Sequence, residues 1–312
     1  FLGAGSVIHA MHHEQDMRYY GGLRKHIPLT FWAMTIGTLA ITGVGVVGVF
    51  GFAGFYSKDA ILEAAFGAHT GIGTIGFWMG LGAALLTSFY SWRLIFLTFF
   101  GKPRWDQSEH IQHAMHDDHH GHGHHAKHDD GTAGYHPHES PLSMLIPLGT
   151  LSLGAIIAGF LFHHEFVSAG TGHFWQGSVA FSEELIHHMH GVPTWVKWAP
   201  FGVMITGLAG AWLAYIRNPE IPAKVVAAIK PLHTFVYNKW YFDELYNLIF
   251  VRPAFWLGDK FWKIGDIGII DKFGPNGSAW AVLQGSRIAA RLQTGYLYSY
   301  ALVMLLGLTA AI

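Results

Sequence analysis

The 312-residue sequence contains no cysteine, which excludes disulfide bonds and thiolate metal sites but leaves the compartment open. It is also poor in charge, because Asp, Glu, Lys and Arg make up only 12% of its residues, whereas soluble domains carry about 25%. The formal net charge of −1 provides no basic field for nucleic acid. The first residues contain no initiator methionine, basic region or cleavage motif, so we expect an internal fragment rather than a signal peptide.

Apolar residues are abundant instead. They make up 51% of the chain, the mean hydropathy is +0.29, and there are 12 Trp and 23 Phe. A bilayer core of about 30 Å needs about 20 apolar residues in a helix. A partial span at 1–11, a broken stretch at 51–66 and full-length apolar runs at 31–50, 75–100, 142–163, 195–216 and 294–312 fit that description. The sequence therefore predicts an all-α, polytopic membrane protein.

Two polar regions separate these runs. Residues 101–140 carry eleven of the 23 histidines, in a low-complexity run that favours a solvated loop over a dedicated metal site. Residues 217–293 place apolar side chains at helical spacing between charges, which predicts an amphipathic helix lying in the membrane interface. Pro231 and Pro253 are expected to kink or segment it.

The distribution of Lys and Arg predicts the orientation. Residues 217–293 hold ten of them and residues 101–140 hold three, so both regions are expected on the cytoplasmic side. Residues 12–30 also hold three. If 31–50, 51–66 and 75–100 each cross the membrane, residues 12–30 lie on the opposite side, against the rule.

Residues 43–66 form the stretch that could carry chemistry. Five glycines between Gly43 and Gly54 weaken helix continuity, and Ser57 could cap a restarted helix. This would place Lys58 at the break of a discontinuous membrane helix, with Asp59 in the first turn after it. A lysine at that depth is a functional hypothesis by default. The alternative is a re-entrant or interfacial piece with Lys58 among the headgroups. His9, near the end of the partial span, is more simply structural.

Several segments carry a resemblance to a known family. They are FLGAGSVIHAMHHEQDMRYYGGLRKHIP (1–28), GFYSKDAILEAAF (54–66), TSFYSWRLIFLTFFGKPR (87–104), HPHESP (136–141) and NKWYFDELYNLIFVRP (238–253). In this order they resemble the C-terminal portion of subunit L of bacterial proton-pumping NADH:quinone oxidoreductase, the counterpart of mitochondrial subunit 5.

The resemblance implies an antiporter-like helix bundle with a broken helix and a long lateral amphipathic helix. It implies proton translocation through Lys58 and Asp59, with His9 as a possible member of the path. No cofactor is expected in this chain; NADH, flavin, iron–sulfur clusters and quinone would belong to partner subunits. The partners implied are other membrane-arm subunits, met along the lateral helix, and the lipid bilayer of the bacterial inner membrane.

The expected organisation has five parts: a C-terminal part of the antiporter-like bundle at 1–100, a His-rich polar loop at 101–140, two further transmembrane helices at 141–216, the lateral helix region at 217–293 and a terminal anchor at 294–312. Three other functions stay open. A subunit of a multi-subunit Na⁺/H⁺ antiporter would share the broken-helix lysine, and a structural brace could coexist with proton transfer. A divalent-cation transporter would need facing ligands inside the spans, which the sequence does not offer.

Overall fold

A computed structural model describes residues 1–117, 131–132, 134–167, 171–178, 187–189 and 191–312. These residues form two compact units, Phe1–Ala227 and Ala228–Ile312. Helices dominate both units, which confirms the all-α membrane class. Three helices of the described chain are long and apolar enough to cross a membrane: Gly71–Phe99, Leu142–Val167 and Thr194–Arg217.

The first unit is a helix bundle with one small hairpin. Its elements are α1 (Leu2–Ala10), α2 (Pro28–Thr42), β1 (Gly45–Val46), β2 (Phe50–Gly51), α3 (Ala53–Gly67), α4 (Gly71–Phe99), α5 (Glu109–Asp117), α6 (Leu142–Val167), α7 (Thr171–Trp175) and α8 (Thr194–Trp212, continued by a π-helical turn at Leu213–Arg217). The longest helix, α4, packs against α2, α3 and α8. Helix α3 packs in turn against α6.

The apolar run 31–50 is not one continuous span. Helix α2 ends at Thr42 because Gly43 adopts the left-handed conformation, with φ of 74°. The Gly43 and Val44 amides then bond back to the carbonyls of Ala40 and Leu39, which closes the helix end. The antiparallel hairpin β1–β2 separates α2 from α3. Because α4 packs along both, α2 and α3 together form one interrupted crossing.

This interruption corrects the predicted orientation of residues 12–30. Their buried residues share a core with the end of α4 and the segment after it. The indole nitrogen of Trp105 donates to the Gly21 carbonyl at 3.0 Å, and the Gly22 amide donates to the Phe100 carbonyl at 3.3 Å. Residues 12–30 and 101–117 therefore lie at the same end of the bundle. The expectation of opposite sides was wrong because it counted α2 and α3 as two crossings, and the basic residues agree with the positive-inside rule after all.

Residues 118–130, the most His-rich part of the predicted loop, lie outside the described residues. The flanks of that loop are packed rather than solvated. Trp105, Ser108 and Ile111 are fully buried, and the Tyr135 hydroxyl donates to the Ala10 carbonyl at 2.9 Å. The charge and histidine content of the loop predicted solvation, whereas single residues within that polar sequence make the packed contacts on either side of it.

The second unit, together with the short helix before it, contains a long helical segment. Its elements are α9 (Ile221–Ala228), α10 (Lys230–Tyr237), α11 (Phe242–Tyr246), α12 (Arg252–Lys260), α13 (Pro275–Leu292) and α14 (Leu297–Ala311), with π-helical stretches at Asn247–Val251 and Phe261–Asp271 joining α11 to α12 and extending α12. From Lys239 to Leu292 they follow one helical path, which is bent by 95° from α14.

The two prolines in this region behave differently from each other. Pro231 stands at the start of α10, after a non-helical Ile229, so it segments the helix as predicted. Pro253 stands in the first turn of α12, and the helical backbone passes through it without a break. The change in backbone direction lies instead at the start of the long helical path, at Lys239–Tyr241, where three consecutive residues with positive φ separate α10 from α11.

Candidate functional site

The ammonium group of Lys58 binds the end of the interrupted helix. Its Nζ donates a hydrogen bond to the Ile41 carbonyl in the last turn of α2, at 2.9 Å. The last carbonyls of a helix lack intrahelical partners and carry partial negative charge, so a cation is favoured there. The contact joins α3 back to α2 across the hairpin. The Lys58 side chain is half-buried rather than fully buried.

Two glycines allow this contact. Gly43 turns the chain at the end of α2, and a Cβ on it would lie 3.6 Å from Lys58 Nζ. Gly54, in the first turn of α3, faces the end of α2 so closely that a Cβ there would collide with the Ala40 carbonyl oxygen. The glycine-rich stretch therefore both ends α2 and lets α3 approach its last turn.

The restart of the helix differs from the sequence prediction. Helix α3 begins at Ala53, and the extended residue Phe52 precedes it. Ser57 does not cap it, since its hydroxyl turns back to the carbonyls of Ala53 and Gly54 at 3.5 and 3.4 Å. Lys58 and Asp59 consequently lie in the second turn of α3.

Lys58 lines a groove of about 390 Å³ between three helices. Its other lining residues are uncharged: Ile41, Gly54, Ser57, Ile61, Leu62, Gly80, Ala83, Ala84 and Thr87. The walls come from α2, α3 and α4. A single ammonium thus faces an otherwise uncharged groove, where the free-energy difference between its charged and neutral forms depends strongly on nearby charge.

Asp59 belongs to a different face of α3. Adjacent residues on a helix point about 100° apart, whereas Tyr56, Asp59 and Glu63 are spaced to share one face. That face meets α6. The ring centroids of Tyr56 and His163 are 5.0 Å apart. The two carboxylates, one turn apart, are both half-buried. Sequence reasoning named Asp59 but not Glu63, which helical spacing alone could have indicated. His163 could not be found from the sequence, because only the packing of α6 brings it here.

His9 lies away from this groove. It is exposed near the end of α1, and its ring centroid is 5.6 Å from that of His138. The segment that carries His138 also contacts the first turn of α2, through Glu139. Lys58 binds the last turn. The structure therefore places His9 and Lys58 at opposite ends of α2 and does not bring them together.

A second polar site, which the sequence did not predict, joins residues 12–30 to the segment that follows α4. Glu14 is only 5% exposed, and its carboxylate accepts hydrogen bonds from the Ser108 hydroxyl at 2.6 Å and the amides of Gln15 and Asp16 at 2.7 and 2.8 Å. Burial by itself would raise the pKa of Glu14. The three donors outweigh burial and hold the pKa below its ordinary value of 4.5. Glu14 therefore stays ionised and ties residues 12–30 to the segment after α4.

Two family models match the chain. One, described as "NADH:quinone oxidoreductase/Mrp antiporter, TM", matches residues 1–89, which include the interrupted helix and Lys58. The other, described as "NADH dehydrogenase subunit 5 C-terminus", matches residues 177–312, which include α8 and the second unit.

Individual proteins match over nearly the whole chain. NADH-quinone oxidoreductase subunit L of Rhodobacter capsulatus is 43% identical over 374 residues, covering 99% of the chain and 49% of that protein. The subunit L of Mycobacterium tuberculosis is 37% identical over 312 residues, covering 98% and 42%. NADH-ubiquinone oxidoreductase chain 5 of Cryptococcus neoformans is 33% identical over 319 residues, covering 100% and 43%. The chain spans half or slightly less of the length of these relatives.

Proposed function

The chain belongs to the family of NADH-quinone oxidoreductase subunit L and NADH-ubiquinone oxidoreductase chain 5, and on this premise we propose that it is a membrane subunit of a proton-translocating NADH:quinone oxidoreductase. In such a complex this chain moves protons and carries no redox centre. NADH, flavin, iron–sulfur clusters and quinone belong to its partner subunits. Its site of action is the bacterial inner membrane.

Lys58 is the proposed proton carrier, with Asp59 beside it. The supporting observation is the hydrogen bond from its ammonium to the Ile41 carbonyl, at the break of the crossing. In one step of the cycle, the ammonium gives one proton to an acceptor on one side and becomes a neutral amine. In the next, the amine takes one proton from the other side. The C-terminal end of α2 favours the charged form, so withdrawing or adding a nearby charge can switch the group.

The energy needed to move a proton across the membrane potential is similar to the energy by which nearby charges can shift the protonation of Lys58. Moving one elementary charge across 100 mV takes about 2.3 kcal/mol. A shift of one pKa unit corresponds to about 1.4 kcal/mol, so two neighbouring charges that each act by about one unit would suffice. Asp59 and Glu63 are half-buried carboxylates on the same helix as Lys58 and are the nearest candidates in sequence for that role. His9, at the other end of α2, would lie at the mouth of a proton path rather than at its break.

The test replaces Lys58 and measures pumping in vesicles that contain the assembled complex. Lys58→Met should keep the fold, since an apolar side chain suits the groove, and should suppress both proton uptake and coupled NADH oxidation at least tenfold. Lys58→Arg should also impair pumping, because arginine does not release its proton. Lys25→Met is the matched control, as Lys25 is exposed in a connecting segment. Parental pumping by an assembled Lys58→Met complex would show that Lys58 is not the carrier.

A subunit of a Na⁺/H⁺ antiporter is the second candidate, since the model that matches residues 1–89 describes both families. The match of residues 177–312 to the subunit 5 model and the named relatives favour the respiratory enzyme. Purification from native membranes separates the two. Co-purification with flavin- and iron–sulfur-containing subunits is expected, and Na⁺-dependent proton exchange without any redox partner would favour the antiporter.

A further inference from the structure

Helix α2 is bound at both ends by charged side chains from elsewhere in the chain. The carboxylate of Glu139 accepts hydrogen bonds from the Leu29 amide at 2.6 Å, the Thr30 amide at 3.3 Å and the Thr30 hydroxyl at 2.8 Å. At the other end the Lys58 ammonium donates to the Ile41 carbonyl. An anion therefore sits at the positive end of the helix dipole and a cation at its negative end, each the favourable sign.

The helix has no local residue that could replace Glu139. Its N-cap position is Ile27, which has no side-chain oxygen, and Pro28 has no amide hydrogen. The first free amides are those of Leu29 and Thr30, and Glu139 binds both. The capping group thus comes from 110 residues further along the chain.

The segment that carries Glu139 is itself fixed in place. The Ser6 hydroxyl donates to the Ser140 hydroxyl at 2.6 Å, in a buried contact with α1. His138 packs against His9 on the same helix. Both sequence neighbours of Glu139 are consequently held by α1, independently of the bonds that Glu139 makes to α2.

We propose that Glu139 is a positioning residue for Lys58, acting through α2; this inference rests on the proposed function of Lys58. The twelve residue steps from Leu29 to Ile41 make a rod of about 18 Å. Because Glu139 fixes one end of the rod, it sets the place of the Ile41 carbonyl that Lys58 binds. Its negative charge also offsets the positive end of the dipole, which favours the charged form of Lys58.

The charge of Glu139 can affect the protonation of Lys58 because few other charged groups in the described part of the chain lie near Lys58. Helices α2 and α4 face it with uncharged residues. On its own helix, the groups able to carry charge are Asp59 and Glu63. Of the helices that pack against α3, α6 carries His163, His164 and Glu165, and α8 carries Lys197. The rod and the hydrogen bond at each end separate the Glu139 carboxylate from the Lys58 ammonium by about 24 Å. At an effective dielectric constant of about 20, a unit charge at that distance changes a protonation equilibrium by roughly half a pH unit.

The test compares Glu139→Gln with Ser143→Ala in the assembled complex, measuring proton uptake and NADH:quinone turnover from about pH 6 to pH 9. Loss of the carboxylate disfavours the charged form of Lys58, so the alkaline limb of the profile should move to lower pH by roughly half a unit. Turnover at a fixed pH on that limb should then fall about threefold. Ser143→Ala changes an exposed side chain at the start of α6 and alters none of the hydrogen bonds at either end of α2, so its profile should match the parent. Glu139→Asp should restore part of the shift.

Two outcomes would overturn the proposal. One is a Glu139→Gln complex whose pH profile matches the parent. The other is a uniform decrease that follows only the amount of assembled complex, which would indicate a purely structural cap. The Lys58→Met variant separates this failure from that of the proposed function. If Lys58→Met is inactive and Glu139→Gln is normal, only the positioning role is wrong. If Lys58→Met pumps normally, both are wrong.

Discussion

Lys58 and Asp59 are neighbours in the sequence but serve different parts of the molecule. Lys58 binds the end of α2, whereas Asp59 shares a face with Tyr56, which meets His163 on α6. This agrees with the expectation from helical geometry that the two charges need not form a simple pair. A carboxylate that is close but not bonded can change the free energy of the ammonium without locking it in one protonation state.

At Glu14, we predict a pH-dependent contribution to stability. Ser108→Ala removes a 2.6 Å hydrogen bond to a buried carboxylate, a loss of about 1.5–3 kcal/mol in the free energy of unfolding at neutral pH. Because the pKa of folded Glu14 lies below 4.5, the stabilisation by its ionised form is present above that value. It is lost as the pH falls through the folded pKa. Thermal denaturation of the detergent-solubilised complex from about pH 7 to about pH 3, which passes below the ordinary carboxylate pKa, measures this.

The comparison needs a serine that makes no such bond. Ser143 is exposed at the start of α6, and Ser143→Ala should denature like the parent at every pH. The Ser108→Ala deficit should shrink towards acid pH. An equal deficit across the whole range would mean that the ionised form of Glu14 contributes nothing.

Some residues of the candidate site could be predicted from the sequence, and others could not. Lys58 and Asp59 stand out because charge is rare in an apolar stretch. Glu14 with Ser108, and Glu139 with Leu29, are separated by 94 and 110 residues respectively. Their partners are set by how the connecting segments pack at one end of the bundle, and no local pattern carries that information.

Among the secondary-structure elements, the break in the α2–α3 crossing was predicted, but the residue at which the helix restarts was not. The glycines indicated a break, yet the sequence placed the restart at Ser57, whereas α3 begins at Ala53. A serine caps a helix only where its own backbone is extended, as the first residue outside the helix. Here the extended residue is Phe52, and the short hairpin decides its position.

The close approach of α3 to α2 leads to a prediction about Gly54. A Cβ there would collide with the Ala40 carbonyl oxygen, so Gly54→Ala should separate the helices and break the bond from Lys58 to Ile41. We expect a loss of more than about 2 kcal/mol in the free energy of unfolding and pumping reduced beyond the loss of assembled complex. Thermal denaturation and proton uptake in vesicles are the measurements.

The control is Gly82→Ala on α4, where a Cβ would meet nothing within 4 Å. That change should be neutral or stabilise by up to about 1 kcal/mol, because alanine favours a helix. Similar behaviour of the two variants would show that the helices tolerate separation at this point.

At the scale of the whole molecule, counting crossings from hydropathy gave the wrong side for residues 12–30. Composition identified every apolar helix of the bundle but could not show that two of them share one crossing. The packing of Trp105 against Gly21 supplied that fact. The helical character of residues 217–293 was predicted more fully, because their periodicity persists over many residues and does not depend on tertiary contacts.

The second unit should act in assembly. None of its residues is buried, and large apolar side chains such as Trp256 and Phe255 are 63% and 75% exposed. Surfaces of that kind mark contacts with other proteins or with lipid. Truncating the chain after Arg217 should therefore reduce the assembled membrane arm, measured by native gel electrophoresis and by co-purification of neighbouring subunits. Full assembly and pumping by the truncated chain would contradict a bracing role.

The long helix from Lys239 to Leu292 and the 95° bend after it also bear on how the cell treats an unassembled copy. A helix with no buried residue gains its stability from whatever covers it, so its folded population follows the concentration of its partners. Before assembly, its aromatic residues are the kind of surface that chaperones and membrane proteases recognise. Supply of this chain beyond its partners should thus be removed by proteolysis, which would keep the subunits of the complex in proportion.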